Sequence, residues 1–239
     1  MTEQTTQKKY ELLKDDTVEH FGRTLYRIKA LITFGLVGAG QLGGYIETEK
    51  NLDHSGNAWV YDNARVCGDA CVYGNAGVYD NAWVYDNARV YGNARVYGNA
   101  RVYGNAWVYG DACVYGDAGV YDNAWVYDNA WVCGDACVYG NAGVCGDARV
   151  YDIARVFGDA RVRSFAVISE RKMIFWASNV GSENGTLTVF NGKFGLIVTR
   201  GCFTGTVDEF LSKSKEVHDD KTHHEYKLLI EVAQSRILN

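Results

Sequence analysis

The chain has 239 residues, and its 27 Gly, 17 Tyr and complete lack of Pro indicate a repetitive fold rather than an ordinary globular mixture. Its net charge is −5, and residues 51–163 contain 13 Asp and 8 Arg but no Glu or Lys, so there is no basic stripe of the kind that nucleic-acid-binding proteins use. The longest apolar run, Ala30 to Ala39, is interrupted by Gly and is too short to span a bilayer.

Residues 1–55 are predicted to form a small β cap. Alternating segments at Lys9 to Leu13, Val18 to Phe21 and Thr24 to Leu31 favour a β-hairpin that starts the repetitive region. The spacing Gly38-x-Gly40-x-x-Gly43 matches a dinucleotide-binding loop, but that loop requires a helix N-terminus after the glycines. No helix is predicted there, so a Gly-rich turn is the favoured interpretation.

Residues 56–169 contain a six-residue repeat, A-x-V-Y-[GD]-[ND], with Val at every sixth position from Val60 to Val162, eighteen times without an insertion. The first four residues alternate as in a strand with Ala and Val inside, and the last two favour a sharp corner. Such short strands must stack on equivalent strands one full coil away. Three walls per coil predict six coils, a triangular prism about 29 Å long, and a dry Ala/Val interior with every Trp, Arg and Tyr outside.

The hexad resembles the hexapeptide repeat of left-handed parallel β-helices over roughly Gly56 to Ile168. This resemblance implies an all-β solenoid, a left-handed triangular parallel β-helix, and a homo-oligomer, with a trimer favoured. The flanking segments starting at Gly22 (GRTLYRI), Leu42 (LGGYIE) and Arg200 (RGCFTGTVDEF) resemble hexapeptide-repeat proteins encoded by bacteriophages and prophages. That likeness implies a phage or prophage genomic setting and no particular activity. We expect such a phage-type product to act on a host or competing-phage protein, including proteins of defence systems.

Residues 170–239 are predicted to form a small α+β module that caps the solenoid and carries a specific contact. A turn at Asn191-Gly192 is predicted between two strands, and two helices follow. These elements are predicted at Thr186 to Phe190, Gly195 to Thr199, Val207 to Lys215 and His223 to Leu238. The second helix is predicted to bury an apolar stripe made of Leu228, Leu229, Val232 and Ile237.

No catalytic residue, metal site or cofactor is predicted. The acyltransferases that resemble this fold use a His on a coil, and a carbonic anhydrase needs three, but none of the five His lies in the eighteen hexads. The pairs Cys67/Cys71 and Cys133/Cys137 straddle corners and so belong to different walls. The odd number of seven Cys and the lack of an apolar leader favour reduced thiols in the cytoplasm.

Two alternatives stay open. The first is a nucleotide- or small-molecule-binding protein, or a hexapeptide-type acyltransferase, with its site between subunits or in the C-terminal module. The second is an acidic mimic of DNA, which the Arg residues interleaved with the Asp disfavour. The favoured hypothesis is a non-catalytic protein that acts by protein association.

The walls can be told apart by sorting the hexads with a period of eighteen residues. Only the third wall places two Trp in adjacent coils, Trp107 and Trp125, about 4.8 Å apart along the axis. Aromatic and Arg side chains supply most binding hot spots. The predicted binding residues are Arg89, Tyr91, Trp107, Tyr109, Trp125 and Tyr127. The competing interpretation is that Tyr ladders merely stack and protect the strands.

Overall fold

Each hexad forms one short strand and one corner, as its alternation predicts. In the computed structural model, which describes residues 8–239, the strand consists of the x residue and Val, and the Ala and Val side chains of every hexad are buried. The fifth residue of each hexad has a positive φ, for example +57° at Asp80 and +70° at Gly92. Gly adopts this conformation without strain and Asp tolerates it, which explains why every hexad but the last, which has Ser164, uses one of these two residues at this position.

The strands stack in parallel along three walls with a period of eighteen residues, which confirms the predicted triangular β-solenoid. Elements are numbered in chain order. The first wall contains β4 (Trp59–Val60), β7 (Gly77–Val78), β10 (Arg95–Val96), β13 (Cys113–Val114), β16 (Trp131–Val132), β19 (Arg149–Val150) and β22 (Val167–Ile168). The second wall contains β3 (Leu42–Ile46), β5 (Arg65–Val66), β8 (Trp83–Val84), β11 (Arg101–Val102), β14 (Gly119–Val120), β17 (Cys137–Val138) and β20 (Arg155–Val156). The third wall contains β6 (Cys71–Val72), β9 (Arg89–Val90), β12 (Trp107–Val108), β15 (Trp125–Val126), β18 (Gly143–Val144) and β21 (Arg161–Val162).

The N-terminal region is an antiparallel hairpin of β1 (Tyr10–His20) and β2 (Arg23–Ala30). Two of the segments predicted as separate belong to β1, which is interrupted only by an irregularity between Leu13 and Thr17. Strand β2 pairs antiparallel with β3, and β3 pairs in parallel with β5. The hairpin therefore continues the second wall, and a 3-10 helix at Glu49–Asn51 follows in the first coil.

The first coil corrects one prediction about the surface. Trp59 was expected outside with the other Trp, but none of its surface is exposed. The N-terminal cap covers it, with the rings of Phe34 and Tyr10 at centroid distances of 5.4 Å and 6.1 Å. Beside it, the Lys9 ammonium donates a hydrogen bond of 2.9 Å to the carbonyl oxygen of Ala58. An outward position in the repeat is thus not sufficient for exposure at the end of the prism.

The C-terminal module is a four-stranded antiparallel sheet with two helices. A 3-10 helix at Arg171–Met173 precedes its first strand. The elements are β23 (Ile174–Val180), β24 (Gly185–Gly192), β25 (Gly195–Arg200), β26 (Phe203–Thr206), α1 (Val207–Val217) and α2 (Asp220–Leu238). The predicted strands and helices are present as β24, β25, α1 and α2, whereas β23 and β26 were not predicted. Within the described residues, no helix is both long and apolar enough to cross a membrane.

Two details of this module differ from the prediction. Asn191 and Gly192 lie within β24 and pair with β25, so the turn falls at residues 193–194. The buried stripe of α2 also differs, because Leu228 and Val232 are each 49% exposed. The buried apolar side chains of α2 are Tyr226, Ile230, Ala233 and Ile237. The helix is rotated so that Tyr226, rather than a second Leu, packs against the sheet.

The module lies against the last coils of the solenoid. The Thr199 hydroxyl donates a 2.7 Å hydrogen bond to the carbonyl oxygen of Arg161, and the Asn191 amide donates one of 3.0 Å to that of Val167. Phe190 is fully buried at the end of the Ala/Val core. The Phe190 side chain of the module therefore covers the C-terminal end of the solenoid core.

Candidate interaction surface on the third wall

The third wall holds the two Trp that the sequence predicts to be adjacent. Trp107 on β12 pairs in register with Trp125 on β15, and their ring centroids are 5.8 Å apart with planes inclined by 18°. Trp125 is 43% exposed and Trp107 is partly buried. The Arg89 guanidinium, one coil earlier, lies 5.3 Å from the Trp107 ring centroid, within cation–π range. The result is a continuous Arg–Trp–Trp column.

A ladder of tyrosines runs beside this column. Tyr91 and Tyr109 stack at a centroid distance of 4.9 Å, and Tyr109 and Tyr127 stack at 5.0 Å. Tyr91 also contacts Trp107 edge-on at 6.2 Å. All six predicted binding residues therefore lie on one face, which we call the third-wall aromatic face.

Tyrosine stacking by itself does not distinguish this face. A second ladder on the second wall runs through Tyr85, Tyr103, Tyr121, Tyr139 and Phe157. Parallel in-register strands place the same hexad position of successive coils about 4.8 Å apart, so identical rings stack on every wall. The ladders stabilise the strands, and the paired Trp are the feature specific to the third wall.

The other exposed or partly exposed Trp of the repeat stand alone in their columns. Trp131 on the first wall is 41% exposed, and the Arg149 guanidinium lies 5.1 Å from its ring centroid. Trp83 on the second wall lies between Arg65 and Arg101, whose guanidinium carbons are 5.3 Å and 5.7 Å from its centroid. Neither presents the double-ring surface of the third-wall aromatic face.

Burial affects the acidity of the tyrosines on this face. It raises the pKa of Tyr127 to about 12, with a smaller contribution from its hydrogen bond with the Cys145 thiol. Burial likewise raises the pKa of Tyr91 and of Tyr109. These hydroxyls are therefore neutral at physiological pH, and the face presents uncharged donors and acceptors next to Arg89.

The acidic corners have a structural explanation. The carboxylate of Asp80 accepts a 2.9 Å hydrogen bond from the backbone N–H of Gly98 in the next coil. At two of the three corners of each coil, the sixth residues of the hexads form side-chain ladders, as where Asn75 donates to Asn93 at 3.1 Å and Asn105 donates to Asn123 at 3.0 Å. Asp and Asn at the corners thus tie successive coils together, which favours a role in the fold over mimicry of DNA.

The residues considered for catalysis or ligand binding make structural contacts. His54 stacks on Tyr10 at 4.3 Å, and its Nδ1 accepts a hydrogen bond from the backbone N–H of Lys9. Within residues 8–239, no three His, Cys, Asp or Glu side chains are grouped so as to hold a metal ion. At Gly43, which lies within β3, a Cβ atom would lie 2.5 Å from the carbonyl oxygen of Val60. Gly38 and Gly40 lie before this strand with open space around them, and the chain continues from them as a strand.

A small cleft in the C-terminal module was not predicted. It has a volume of about 160 Å³ and is lined by side chains that include Arg200, Phe203, Phe210 and Tyr226. The Arg200 Nε donates a 3.1 Å hydrogen bond to the Tyr226 hydroxyl. This bond ties β25 to α2, so the guanidinium has a structural role in the module.

Comparison with known proteins agrees with the architecture. A family model described as the YdcK beta solenoid repeat matches residues 82–95 and 94–110, which lie in the central coils. The chain is a β-solenoid repeat protein. No curated protein sequence matches it significantly. The matched segments include Trp83, Arg95 and Trp107, so the likeness covers hexads from all three walls.

Proposed function

We propose that this β-solenoid repeat protein acts without catalysis, by binding proteins through the third-wall aromatic face. The observation that carries the proposal is the stacked, solvent-accessible pair Trp107 and Trp125 next to Arg89. Trp and Arg are the residue types most enriched among binding hot spots. Exposed aromatic patches in water-soluble proteins normally mark interaction sites.

The composition of the walls supports association. Hexad side chains outside the core include Tyr, Trp, Arg and Cys, while Lys and Glu are absent from residues 51–163. Interfaces are enriched in Tyr, Trp and Arg and depleted in Lys and Glu. The interior is filled by Ala and Val, which leaves the outer walls as the surfaces available for recognition.

We further propose that the first partner is a second copy of the chain and that the assembly is a trimer. The hexapeptide-type repeat supports this, because proteins with such repeats commonly trimerise. In-register strands arrange the outer side chains of a wall in columns along the prism axis, so two such walls can meet along their length. Packing of Trp125 against a neighbouring copy would remove the most exposed ring of the face from water.

The biological setting is also proposed. The likeness of the flanking segments to phage and prophage hexapeptide-repeat proteins supports a phage-type product that acts on a host or competing-phage protein in the bacterial cytoplasm. All seven cysteines are free thiols, which fits a reducing compartment.

Capture from a bacterial lysate, combined with native mass measurement of the purified protein, tests this function. We expect the mass of a homo-oligomer, with or without a stoichiometric partner protein. A monomer that captures no protein would contradict the proposal. A tightly bound metabolite would favour the alternative of a small-molecule site between subunits or in the C-terminal module.

A further inference from the structure

The second wall carries a polar groove that is separate from the third-wall aromatic face. It begins at Asn63 and continues past Arg101 to Cys137 as two adjoining depressions with volumes of about 310 Å³ and 340 Å³. The two depressions share Asn99, Arg101 and Asp117. The five stacked strands from β5 to β17 extend over about 19 Å along the prism axis at the usual strand spacing.

The guanidinium groups in this groove lack acidic partners. Neither Arg65 nor Arg101 lies within 4.0 Å of a carboxylate oxygen of residues 8–239, and the Arg65 Nε is inaccessible to solvent and forms no hydrogen bond there. Both guanidinium carbons instead lie within cation–π range of the Trp83 ring, at 5.3 Å and 5.7 Å from its centroid. Arg65 and Arg101 lie two strand spacings apart, roughly 9.6 Å, and Trp83 on the strand between them contacts both guanidiniums.

The corner beside these arginines differs from the equivalent corners of the other walls. Elsewhere the corner amides form ladders, such as Asn57 to Asn75 and Asn75 to Asn93, at 3.0 Å and 3.1 Å. In the groove, Asn99 donates to Asp117, but the side chains of Asn63 and Asn81 form no hydrogen bond within the described residues. Two amide groups thus remain free to pair with a ligand.

From these features we infer that the second-wall groove binds an extended acidic peptide segment of a partner protein, with glutamates at alternate positions. In an extended peptide, side chains two residues apart point the same way and lie about 6.8 Å apart. Arg65 and Arg101 are about 9.6 Å apart along the axis, and the flexible Glu and Arg side chains are long enough to make up the difference. About six extended residues match the 19 Å groove. The amides of Asn63 and Asn81 supply donors and acceptors for the peptide backbone.

Two other ligand classes fit less well. A saccharide that stacks on Trp needs a free ring face, whereas the Trp83 ring is already contacted by two guanidiniums and by the His20 ring at 4.0 Å. A nucleic acid needs many phosphate contacts, whereas the groove supplies only the two cationic side chains Arg65 and Arg101. This inference stands independently of the function proposed for the third wall, because the two surfaces share no residue.

Gly119 offers a specific way to block the groove. It lies in the second depression, and a Cβ atom there would meet only Tyr121 and Cys137 atoms at 3.5 to 3.7 Å, which are ordinary contacts. Five other hexads carry Trp at the same position. The Gly119→Trp variant is therefore expected to fold normally while its side chain fills the groove.

Fluorescence anisotropy with a labelled hexapeptide of alternating glutamate and threonine tests the inference. We expect the full chain to bind it, with an affinity that falls with added salt, and to bind the glutamine–threonine analogue at least about tenfold more weakly. Arg101→Gln should also weaken binding at least about tenfold, and Gly119→Trp should abolish it. The matched control Arg95→Gln, on the first wall, should bind as the unaltered protein does.

The inference would be overturned by any of three results. One is no binding of the glutamate peptide by the unaltered, folded protein. Another is binding that neither Arg101→Gln nor Gly119→Trp weakens. The third is preferential binding, at this groove, of a sulfated oligosaccharide or a single-stranded oligonucleotide, which would assign the groove to a different ligand class.

Discussion

Trp107 and Trp125 occupy the same hexad position in adjacent coils, with ring centroids 5.8 Å apart. Replacing both with Ser should leave the Ala/Val core unchanged, because both side chains point away from it. We expect self-association or partner capture to weaken at least about a hundredfold, since hot-spot Trp residues contribute about 2 kcal/mol or more each. Sedimentation velocity and lysate capture measure this.

Trp131→Ser is the matched control for that experiment, because Trp131 is similarly exposed on the first wall. It should keep the oligomer mass and the captured partner of the unaltered protein. If the double variant of Trp107 and Trp125 also keeps both, the binding surface lies on another wall or in the C-terminal module.

Val102→Asp should unfold the solenoid. Val102 is fully buried among Ala and Val, so the new carboxylate would have no partner, at an expected cost of more than about 4 kcal/mol. Val102→Ala, the matched control, should fold and lose about 1 to 3 kcal/mol of unfolding free energy. Circular dichroism and denaturant titration distinguish the two variants. A Val102→Asp protein as heat-stable as the unaltered chain would refute the inward position of Val102.

The tyrosine ladders should make the protein sensitive to alkali. Burial, and then the proximity of neighbouring ionisable groups, raise the pKa of Tyr85 and of Tyr121 to about 12. Since unfolded Tyr titrates near about pH 10, the folded state binds more protons between about pH 10 and pH 12. The stability that these groups contribute is therefore complete below about pH 10 and is lost as the pH rises to about 12.

A double variant, Tyr85→Phe with Tyr121→Phe, checks this pH dependence. Phe157 already stacks on Tyr139 at 5.0 Å in the same ladder, so Phe fits. The unfolding free energy of the variant should fall less steeply above about pH 10. Burial lowers the pKa of Lys9 to about 8, so the contribution of Lys9 to the unfolding free energy rises between about pH 8 and pH 10.5. Both proteins contain Lys9, so this contribution cancels when they are compared. Equal slopes would contradict the prediction.

A chain that ends at Ser169 should aggregate. It lacks Phe190, which closes the end of the core, and the side chains that hydrogen-bond to the carbonyl oxygens of Arg161 and Val167. Exposed strand edges and apolar surface promote association. Size-exclusion chromatography with thermal unfolding measures the effect. A soluble, monomeric product as stable as the full chain would show that the module is not needed as a cap.

The solenoid should not transfer acyl groups from acetyl-CoA or succinyl-CoA. The hexads contain no His, and His54, the His closest to the first coil, is stacked on Tyr10. A coupled thiol-release assay checks this with the purified protein. Turnover that disappears in His54→Ala, while His20→Ala stays active, would assign catalysis to His54 and refute the prediction.

The sequence was sufficient to predict the solenoid because its signal is local and repeated. The alternation of Ala and Val and the period of eighteen residues predicted the neighbours of Trp107 correctly. The ends of the chain do not repeat. Trp59 is buried because the N-terminal cap packs on it, and this long-range contact could not be predicted from the local pattern of the hexad. The groove beside Arg65 was also missed, since the loss of an amide ladder at one corner depends on side-chain conformations that the hexad does not encode.

The corner conformation at Gly92 and its equivalents has a consequence for how the two ends of the molecule face each other. Each corner turns the chain from one wall to the next, and three corners complete one coil. The rotation of the C-terminal module about the prism axis, relative to the N-terminal hairpin, therefore repeats with every third hexad. Removing eighteen residues would shorten the prism by one coil and leave that rotation unchanged. Removing six would rotate the module by one wall relative to the hairpin, and surfaces that now face in a common direction would point apart.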